Sequence, residues 1–415
     1  MNSLQKYAKL QAIYTRSIQP IAARAHNRIF PHARILVGVS LHGYPTTLQA
    51  FRISPLSAQA PSVHMECVDP RKESQHMHVL QMLERELERY FQECRAIGTS
   101  PQIWIPNSNA YRHWEAIADR LLQRQRLPKL CSMLQYLTQR YHYGGSQSLL
   151  ILSKVLRSHW VTGQSDFFDE SLATWNIWLG STVDDNMLHK AQSEDFYTSL
   201  PDKLPLSPID PQIQKTLRNE SQKRLSLLRK TLSLFYKRAP TLISSFSYWW
   251  EQELEYFSSF MRKEPVCTKD SRLLAAQKLE ERAFSLENHL ADQRRDDPLF
   301  FYAGIVEGYC IEGSVHSSNG KRMQILCTQS ILRAREGDTL SLRKDPSLQF
   351  RVLDREITPT GVLILLEKTY GSFYIKIGRT LQLSPSSTGW GFQHRRRQNI
   401  AQRMAQRGWI HREHS

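Results

Sequence analysis

Arg34-Ile-Leu-Val-Gly-Val-Ser-Leu41 and Thr46-Thr-Leu-Gln-Ala-Phe-Arg-Ile53 decide the fold of the N-terminal part of the chain. Both stretches are rich in β-branched and apolar residues, and Gly43-Tyr-Pro45 lies between them, so they predict a β-hairpin. A third strand is predicted at 61–68. The segments that follow have the spacing of a helix, a short strand and a second helix: 73–95, 102–105 and 111–124. Residues 1–126 are therefore predicted to form a compact α/β unit.

Five further units are predicted beyond this one, and the fold class is α+β. They are a helical region, a linker, a helical stalk, a small β-barrel and a basic C-terminal tail: 127–198, 199–211, 212–297, 298–370 and 371–415. In the first of these units, helices are predicted near 129–141, 146–157 and 170–190. The linker is rich in Pro and Ser. The barrel is predicted from short strands separated by turn signals. These strands are 300–306, 323–327, 339–342, 349–353 and 361–366.

Charge gives the first indication of function. The chain has 55 Lys and Arg against 39 Asp and Glu, a formal net charge of +16. Such a surface attracts polyanions, and nucleic acid is the leading partner class. A basic helix at 212–237 and the tail, where arginines stand among aromatic rings, carry much of the excess. The predicted binding residues are Arg218, Lys223, Arg224, Arg229, Lys230, Lys237, Arg238, Trp390, Arg395, Arg396, Arg397, Arg403, Arg407, Trp409 and Arg412.

Composition narrows the cellular setting. The longest apolar runs are much shorter than the ~20 residues that span a bilayer, and the N-terminus lacks the apolar core of a signal peptide. We therefore expect a cytoplasmic protein without a membrane partner. The six cysteines form no CxxC pair and are expected to be reduced and buried. His64, His76 and His78 lie near Cys67, but no second pair completes a zinc site, so no metal site is predicted.

The α/β unit resembles a known nuclease fold. Three antiparallel strands, a helix, a strand and a helix follow one another as in the RNase H-like fold. One stretch is similar to the middle of the RNase H-like exonuclease domain attached to some RecB-type nuclease–helicase proteins. It is Pro101-Gln-Ile-Trp-Ile-Pro-Asn-Ser-Asn-Ala-Tyr-Arg-His-Trp-Glu-Ala-Ile117, with Glu73, Leu87 and Tyr90 before it. The resemblance covers about a quarter of the chain.

The resemblance implies a cluster of carboxylates that holds two Mg²⁺ ions. Here the first strand, Val37-Gly-Val-Ser-Leu-His-Gly43, carries no acid, and the fourth ends Ile105-Pro-Asn-Ser. The acids near a plausible metal position are Glu66, Asp69, Glu73 and Glu84. A version of the fold that binds without cleaving is therefore predicted, with no cofactor; Mg²⁺ enters only if the chain is an active nuclease.

Other catalytic and phosphate-binding motifs do not fit. A Walker A loop has four residues between its glycines and a Ser or Thr after its Lys. Neither feature is present in the stretch Gly313-Ser-Val-His-Ser-Ser-Asn-Gly-Lys-Arg322, where six residues separate the glycines and Arg322 follows the Lys. Asn319-Gly320 instead predicts a β-hairpin turn. No GxSxG, HExxH or dinucleotide-binding pattern is present in the sequence.

The C-terminal half resembles a second family. Long helices lead into a predicted barrel containing Leu332-Arg-Ala-Arg-Glu-Gly-Asp-Thr-Leu-Ser-Leu-Arg343, Val352-Leu-Asp-Arg355 and Val362-Leu-Ile-Leu-Leu366. This arrangement is similar to the stalk and barrel module that precedes the motor of some superfamily 1 helicases. The resemblance implies an accessory role beside a helicase, since this sequence has no motor.

Together these features predict a non-catalytic, nucleic-acid-binding subunit of a DNA- or RNA-processing complex. A protein partner with ATPase or nuclease activity would supply the chemistry. Two alternatives remain open. In the first, the chain is a divergent metal-dependent nuclease. In the second, it is a scaffold or adaptor whose basic face binds acidic proteins.

Overall fold

The computed structural model describes residues 3–40, 47–56, 61–69, 72–180, 183–193, 211–263, 269–370 and 375–386. Within these ranges the protein combines a five-stranded sheet that has helices on both faces with a closed six-stranded barrel. The predicted α+β class and the C-terminal barrel are confirmed.

The first elements are helix α1 (Ser3–Thr15) and the two-residue strand β1 (Gln19–Pro20), and the sheet follows them. Its strands are β2 (Arg34–Val39), β3 (Ala50–Pro55), β4 (Val63–Glu66), β5 (Ile103–Ile105) and β6 (Leu149–Ile151). The order across the sheet is β4-β3-β2-β5-β6. Strands β2 to β4 are antiparallel, β5 runs parallel to β2, and β6 runs parallel to β5. The predicted pairing of the first two strands is thus confirmed.

Helices cover one face of the sheet: α2 (Glu73–Ala96), α3 (Ser108–Arg124) and α4 (Pro128–Arg140). They bury apolar stripes at helical spacing, such as Leu83, Leu87 and Phe91 of α2, against Phe51 on the sheet. Asn107 lies between the fourth predicted strand and α3. Its side chain accepts a 3.0 Å hydrogen bond from Ala110 N and caps this helix.

The opposite face carries shorter helices and one long one. They are α5 (Leu152–His159), α6 (Leu172–Trp178), α7 (Asp185–Ser193) and α8 (Pro211–Arg238). Strand β7 (Trp160–Val161) pairs with β1, and a 3₁₀ turn spans Asp166–Glu170. The helix predicted at 146–157 is wrong in its first part, because residues 149–151 form β6. The segment predicted to be helical near 170–190 contains two helices, α6 and α7, and residues 181–182 between them lie outside the described ranges.

Three helices connect the sheet to the barrel: α9 (Phe246–Arg262), α10 (Arg272–Asp296) and α11 (Pro298–Glu307). Residues 300–306 were predicted as the first barrel strand, and that prediction is wrong because they belong to α11. Asp297 accepts hydrogen bonds from the amides of Leu299 and Phe300, and Pro298 occupies the first helical position, so the two residues start a helix.

The barrel strands are β8 (Ile311–Ser318), β9 (Arg322–Cys327), β10 (Thr339–Leu342), β11 (Asp345–Thr358), β12 (Gly361–Tyr370) and β13 (Thr380–Pro385). They close in the order β10-β11-β12-β9-β8-β13. The predicted Asn319-Gly320 turn joins β8 to β9 and is confirmed, with Gly320 at φ +84°. Gly313 lets β8 lie close to β9, because a Cβ there would stand 2.5 Å from Ile325 Cγ2.

Four described cysteines are buried free thiols: Cys67, Cys94, Cys310 and Cys327. Burial raises the pKa of each to about 12, so they stay protonated at neutral pH. The expectation of reduced thiols is wrong for Cys131, which is disulfide-bonded. In the described ranges, the helices are too short or too polar to cross a bilayer.

Candidate nucleic-acid interface

Helix α8 presents the basic surface predicted from the sequence. Its apolar side chains are buried against β2 and the helices beside it. Leu225, Leu228, Leu232 and Phe235 of α8 pack in this core, and Ile213 and Leu217 pack in the core on the α2 side. The predicted cations occupy the rest of the helix circumference, and the structure divides them into two groups that the sequence does not distinguish.

The arginines of α8 are held by the protein itself. Arg218 pairs with Glu66 of β4, and Arg224 donates to the carbonyl of Gly38 at 2.7 Å. Arg229 donates to Ser54 Oγ on β3, and Arg238 donates to Gly180 O at 3.0 Å. Three of these side chains reach strands β2, β3 and β4 of the sheet and the fourth reaches just beyond the end of α6, so their first role is to fasten α8.

The lysines of α8 face outward. Lys223, Lys230 and Lys237 are exposed and stand seven residues apart. An α-helix turns through nearly two full turns in seven residues, so they form one row of about 21 Å along the helix. Neither Lys230 nor Lys237 is held by an ion pair within the described ranges. We call Lys223, Lys230 and Lys237 the lysine row.

Under the N-terminal half of α8 the sheet is polar. Arg52 of β3 donates to Ser221 Oγ at 2.9 Å, and His64 Nε2 lies 3.7 Å from Glu66 Oε2. Burial and the nearby Arg52 charge lower the pKa of His64. His64 is therefore neutral at physiological pH, and the positive charge of this surface comes from the arginines and lysines.

The second predicted binding surface lies outside the described residues. It is the tail, with the candidate residues Trp390, Arg395, Arg396, Arg397, Arg403, Arg407, Trp409 and Arg412. They remain candidates on sequence grounds alone.

The four carboxylates proposed for metal binding have other partners. Glu66 pairs with Arg218, and Glu73 is surrounded by Arg120, Arg124 and Arg126. The other two carboxylates are also engaged: Glu84 accepts a 3.1 Å hydrogen bond from the amide of Leu130, and Asp69 is buried. In the part of the chain that the structure describes, no three His, Cys, Asp or Glu side chains are arranged to hold a metal ion.

One carboxylate that the sequence did not single out lies beside the carboxyl ends of β5 and β6. Glu170 accepts hydrogen bonds from Ser108 N, Ser108 Oγ and Ser153 Oγ at 2.8–2.9 Å. Burial alone would raise the pKa of Glu170, but these hydrogen bonds lower it below its usual value. The residue therefore stays ionised and joins the starts of α3 and α5. Nothing in the spacing around Glu170 indicates this role.

No family model, curated protein or solved structure matches this chain.

Proposed function

We propose that this protein is a nucleic-acid-binding subunit of a DNA- or RNA-processing complex and has no catalytic activity of its own. The observation that carries the proposal is the lysine row, three exposed cations in line on a helix fixed to the sheet by its arginines. Lysine binds phosphate as a flexible point charge, so such a row suits contact with a backbone without reading its sequence. The cytoplasm is the expected location.

The strand order supports the RNase H-like resemblance. Three antiparallel strands with the first in the middle of the sheet, followed by two parallel strands on its other side, match the topology that the resemblance implies. The resemblance implies acids on the first strand and at the end of the fourth, but other residues stand there. Gly38 of the first strand lies under Trp114, and Asn107 after the fourth strand caps α3. The fold would thus serve as a platform for binding. The long helix α10 before the barrel is the feature that supports the helicase-module resemblance.

Replacing Lys223, Lys230 and Lys237 by glutamine is expected to weaken binding to duplex DNA. The slope of log K against log salt concentration should become shallower by about 0.9 for each phosphate that the variant no longer neutralises. Fluorescence anisotropy with labelled oligonucleotides at several salt concentrations measures both quantities. Glutamine retains most of the side chain, so the fold should be unchanged.

The control is a variant with the same loss of charge elsewhere, Lys129→Gln/Lys154→Gln/Lys263→Gln. Equal losses in the two triple variants would mean that only net charge matters and would contradict an interface on α8. Incubation with Mg²⁺ or Mn²⁺ tests the nuclease alternative, and cleavage that disappears in Asp69→Ala would replace our proposal with that one.

A protein-binding role has its own observation in α1. This helix buries Ala12 and exposes Tyr7, Leu10 and Tyr14 on the opposite side, with Leu10 65% and Tyr14 88% exposed. Exposed apolar side chains in one cluster mark interaction surfaces. We propose that this face of α1 binds an acidic protein partner, as expected for the adaptor alternative.

The charged residues near α1 indicate which kind of partner would cover its exposed apolar face. The first acidic residue of the chain is Glu66, so the charged side chains of α1 itself, Lys6 and Lys9, are both basic. A two-fold contact with a second copy would place these like charges together. Lys9 and Arg16 pair with Asp166 and Asp185, which turns them toward the protein and away from a membrane surface. With a second copy and a membrane surface both disfavoured, we expect an acidic protein surface to bind this face of α1.

Leu10→Glu is expected to abolish that protein interaction, because it places a charge in the centre of the apolar face. Leu279→Glu is the matched control, since Leu279 of α10 is 68% exposed. The measurement is 1:1 binding of the purified chain to the acidic partner isolated from a nuclease-treated extract. Dimerisation of the chain, or binding to anionic vesicles, that disappears in Leu10→Glu would contradict this proposal.

A further inference from the structure

The barrel has a recess at one end that is separate from α8. It lies beside the turn that joins β8 to β9, where Lys368 N of β12 donates to Lys321 O at 2.8 Å. Its cavity volume is about 20 Å³, so it is a shallow depression in the barrel surface. The side chains around it include three cations and three apolar residues: Lys321, Arg322, Lys368, Met323, Phe350 and Ile375.

Positive charge predominates at this recess. The nearby acid is Glu367, whose Oε1 lies 3.4 Å from Lys321 Nζ and 3.8 Å from Arg322 Nε. Lys321 is 76% exposed, so these ion pairs are solvated and weak. Three cations and one acid therefore leave a net positive charge that a phosphate would neutralise.

An exposed aromatic ring follows one of the recess lysines along β12. Phe350, Met323 and Ile375 are buried and form the apolar floor of the recess. Tyr370 lies two residues beyond Lys368 and is 68% exposed. A register shift in the β11–β12 pairing between Gln349 and Phe350 places a bulge beside it, and bulges often redirect side chains at the rim of a barrel.

The backbone is accessible at the same place. A Cβ on Gly320 would meet nothing within 4 Å, so the turn stands open to solvent. A ligand can therefore approach the main chain of the turn as well as the lysines.

From these features we propose that the barrel recess is a second nucleic-acid site, which binds a phosphate of a single strand through Lys321 and Lys368 and stacks a base on Tyr370. The inference rests on the proposed function and extends it to the kind of strand bound. Cations combined with an exposed ring suit a single strand, because duplex bases are already stacked on each other.

The experiment compares single-stranded and duplex oligonucleotides by anisotropy with the full chain. Lys321→Gln/Lys368→Gln should make the salt slope for the single strand shallower by about 0.7, because the two lysines together neutralise one phosphate. Tyr370→Leu should weaken single-strand binding at least about fivefold without changing that slope. Duplex binding should be unaffected by either variant. Arg335→Gln/Lys344→Gln, two exposed cations elsewhere on the barrel, is the matched control.

The outcomes separate the two proposals. If the lysine-row variant loses binding but the recess variants do not, the recess inference is overturned and the proposed function stands. If the wild-type chain binds no oligonucleotide, both are overturned. Displacement of the single strand by low millimolar inorganic phosphate at constant ionic strength would identify a site for free phosphate and would also overturn the inference.

Discussion

Replacing Glu253 by leucine is expected to lower the free energy of unfolding by about 3–5 kcal/mol, the usual cost of leaving a buried charge without its partner. Glu253 of α9 and Arg140 of α4 are both buried. The guanidinium Nη2 and Nε lie 2.9 and 3.1 Å from the two carboxylate oxygens. The pair joins helices α4 and α9.

The surroundings of the pair explain why the loss should be large. Tyr136 and Ser148 also donate to Glu253, and the Arg140 guanidinium lies 4.2 and 4.1 Å from the ring centroids of Tyr143 and Tyr256. Burial alone would raise the pKa of Glu253, but the Arg140 charge lowers it, so the carboxylate stays ionised. The leucine variant leaves Arg140 ionised among aromatic rings with no anion beside it.

Urea unfolding of a double-mutant cycle measures the effect. Arg140→Met/Glu253→Leu should recover most of the stability lost by Glu253→Leu, because both charges are then removed together. The control is Glu88→Gln, which breaks the exposed Lys129–Glu88 pair and should cost less than about 1 kcal/mol. A Glu253→Leu variant as stable as Glu88→Gln would show that the buried pair contributes little.

The buried pair also shows what the sequence can and cannot reveal. Period-2 and helical spacing located β2, β3, α2 and the barrel, because these elements bury one face and the pattern records that face. Three acids alternate along α9, at positions 251, 253 and 255. Which of them turns inward depends on the position of Arg140 in the folded chain, more than a hundred residues away.

Two errors have local causes. Leu299 to Val306 is a nearly continuous apolar run, which periodicity alone cannot assign to a helix or a strand. The preceding Asp297-Pro298 was an available helix-start signal. Strand β6 has only three residues and leads directly into α5. Three residues are too few to show an alternating pattern that could be distinguished from the helical spacing that follows.

The candidate interface was found only in part. Charge located α8, but the division between arginines that fasten the helix and lysines that face solvent follows from the positions of a carbonyl on β2 and a hydroxyl on β3. The barrel recess was missed because its cations come from the β8–β9 turn, the start of β9 and from β12, and β12 is distant in sequence from the other two.

Acid is expected to unfold the protein at a mildly low pH, because three histidines are packed where one end of the sheet domain meets α10. His26 and His159 are buried with ring centroids 5.4 Å apart, and the His289 ring lies 4.2 Å from Trp249. Neither ring nitrogen of His26 has a hydrogen-bond partner within the described ranges. A proton added to this cluster would place a charge on a buried ring that is removed from water.

The direction of the effect follows from the pKa values. Burial lowers the pKa of His26 to about 2 and those of His159 and His289 to about 4. The unfolded chain protonates these groups near pH 6.5, so it binds more protons than the folded state below that pH. Stability is therefore complete above pH 6.5 and falls as the pH decreases toward 4. At pH 5.5 the loss is about 1.4 kcal/mol for each histidine, or about 4 kcal/mol for three.

Carboxylates near the cluster act at lower pH. Burial raises the pKa of Asp297, whose Oδ2 lies 3.8 Å from His26 Nε2, so its protonation favours the folded state. Asp292 binds Trp249 Nε1 and pairs with Arg295. Hydrogen bonds and the charge of Arg295 outweigh burial and lower the pKa of Asp296, so its protonation opposes folding. The histidines thus dominate between pH 6.5 and about 4.5.

Urea unfolding followed by tryptophan fluorescence at pH 7.5 and 5.5 tests this expectation. His289→Gln removes one titrating group and keeps an amide beside Gln293, whose Nε2 lies 2.8 Å from His289 Nε2. The variant should lose about one third of the stability difference between the two pH values, since one of three proton-uptake sites is gone. His78→Gln, which changes an exposed histidine on α2, should leave the difference unchanged. If His289→Gln and His78→Gln showed the same pH dependence as the wild type, the acid sensitivity would have to arise outside this cluster.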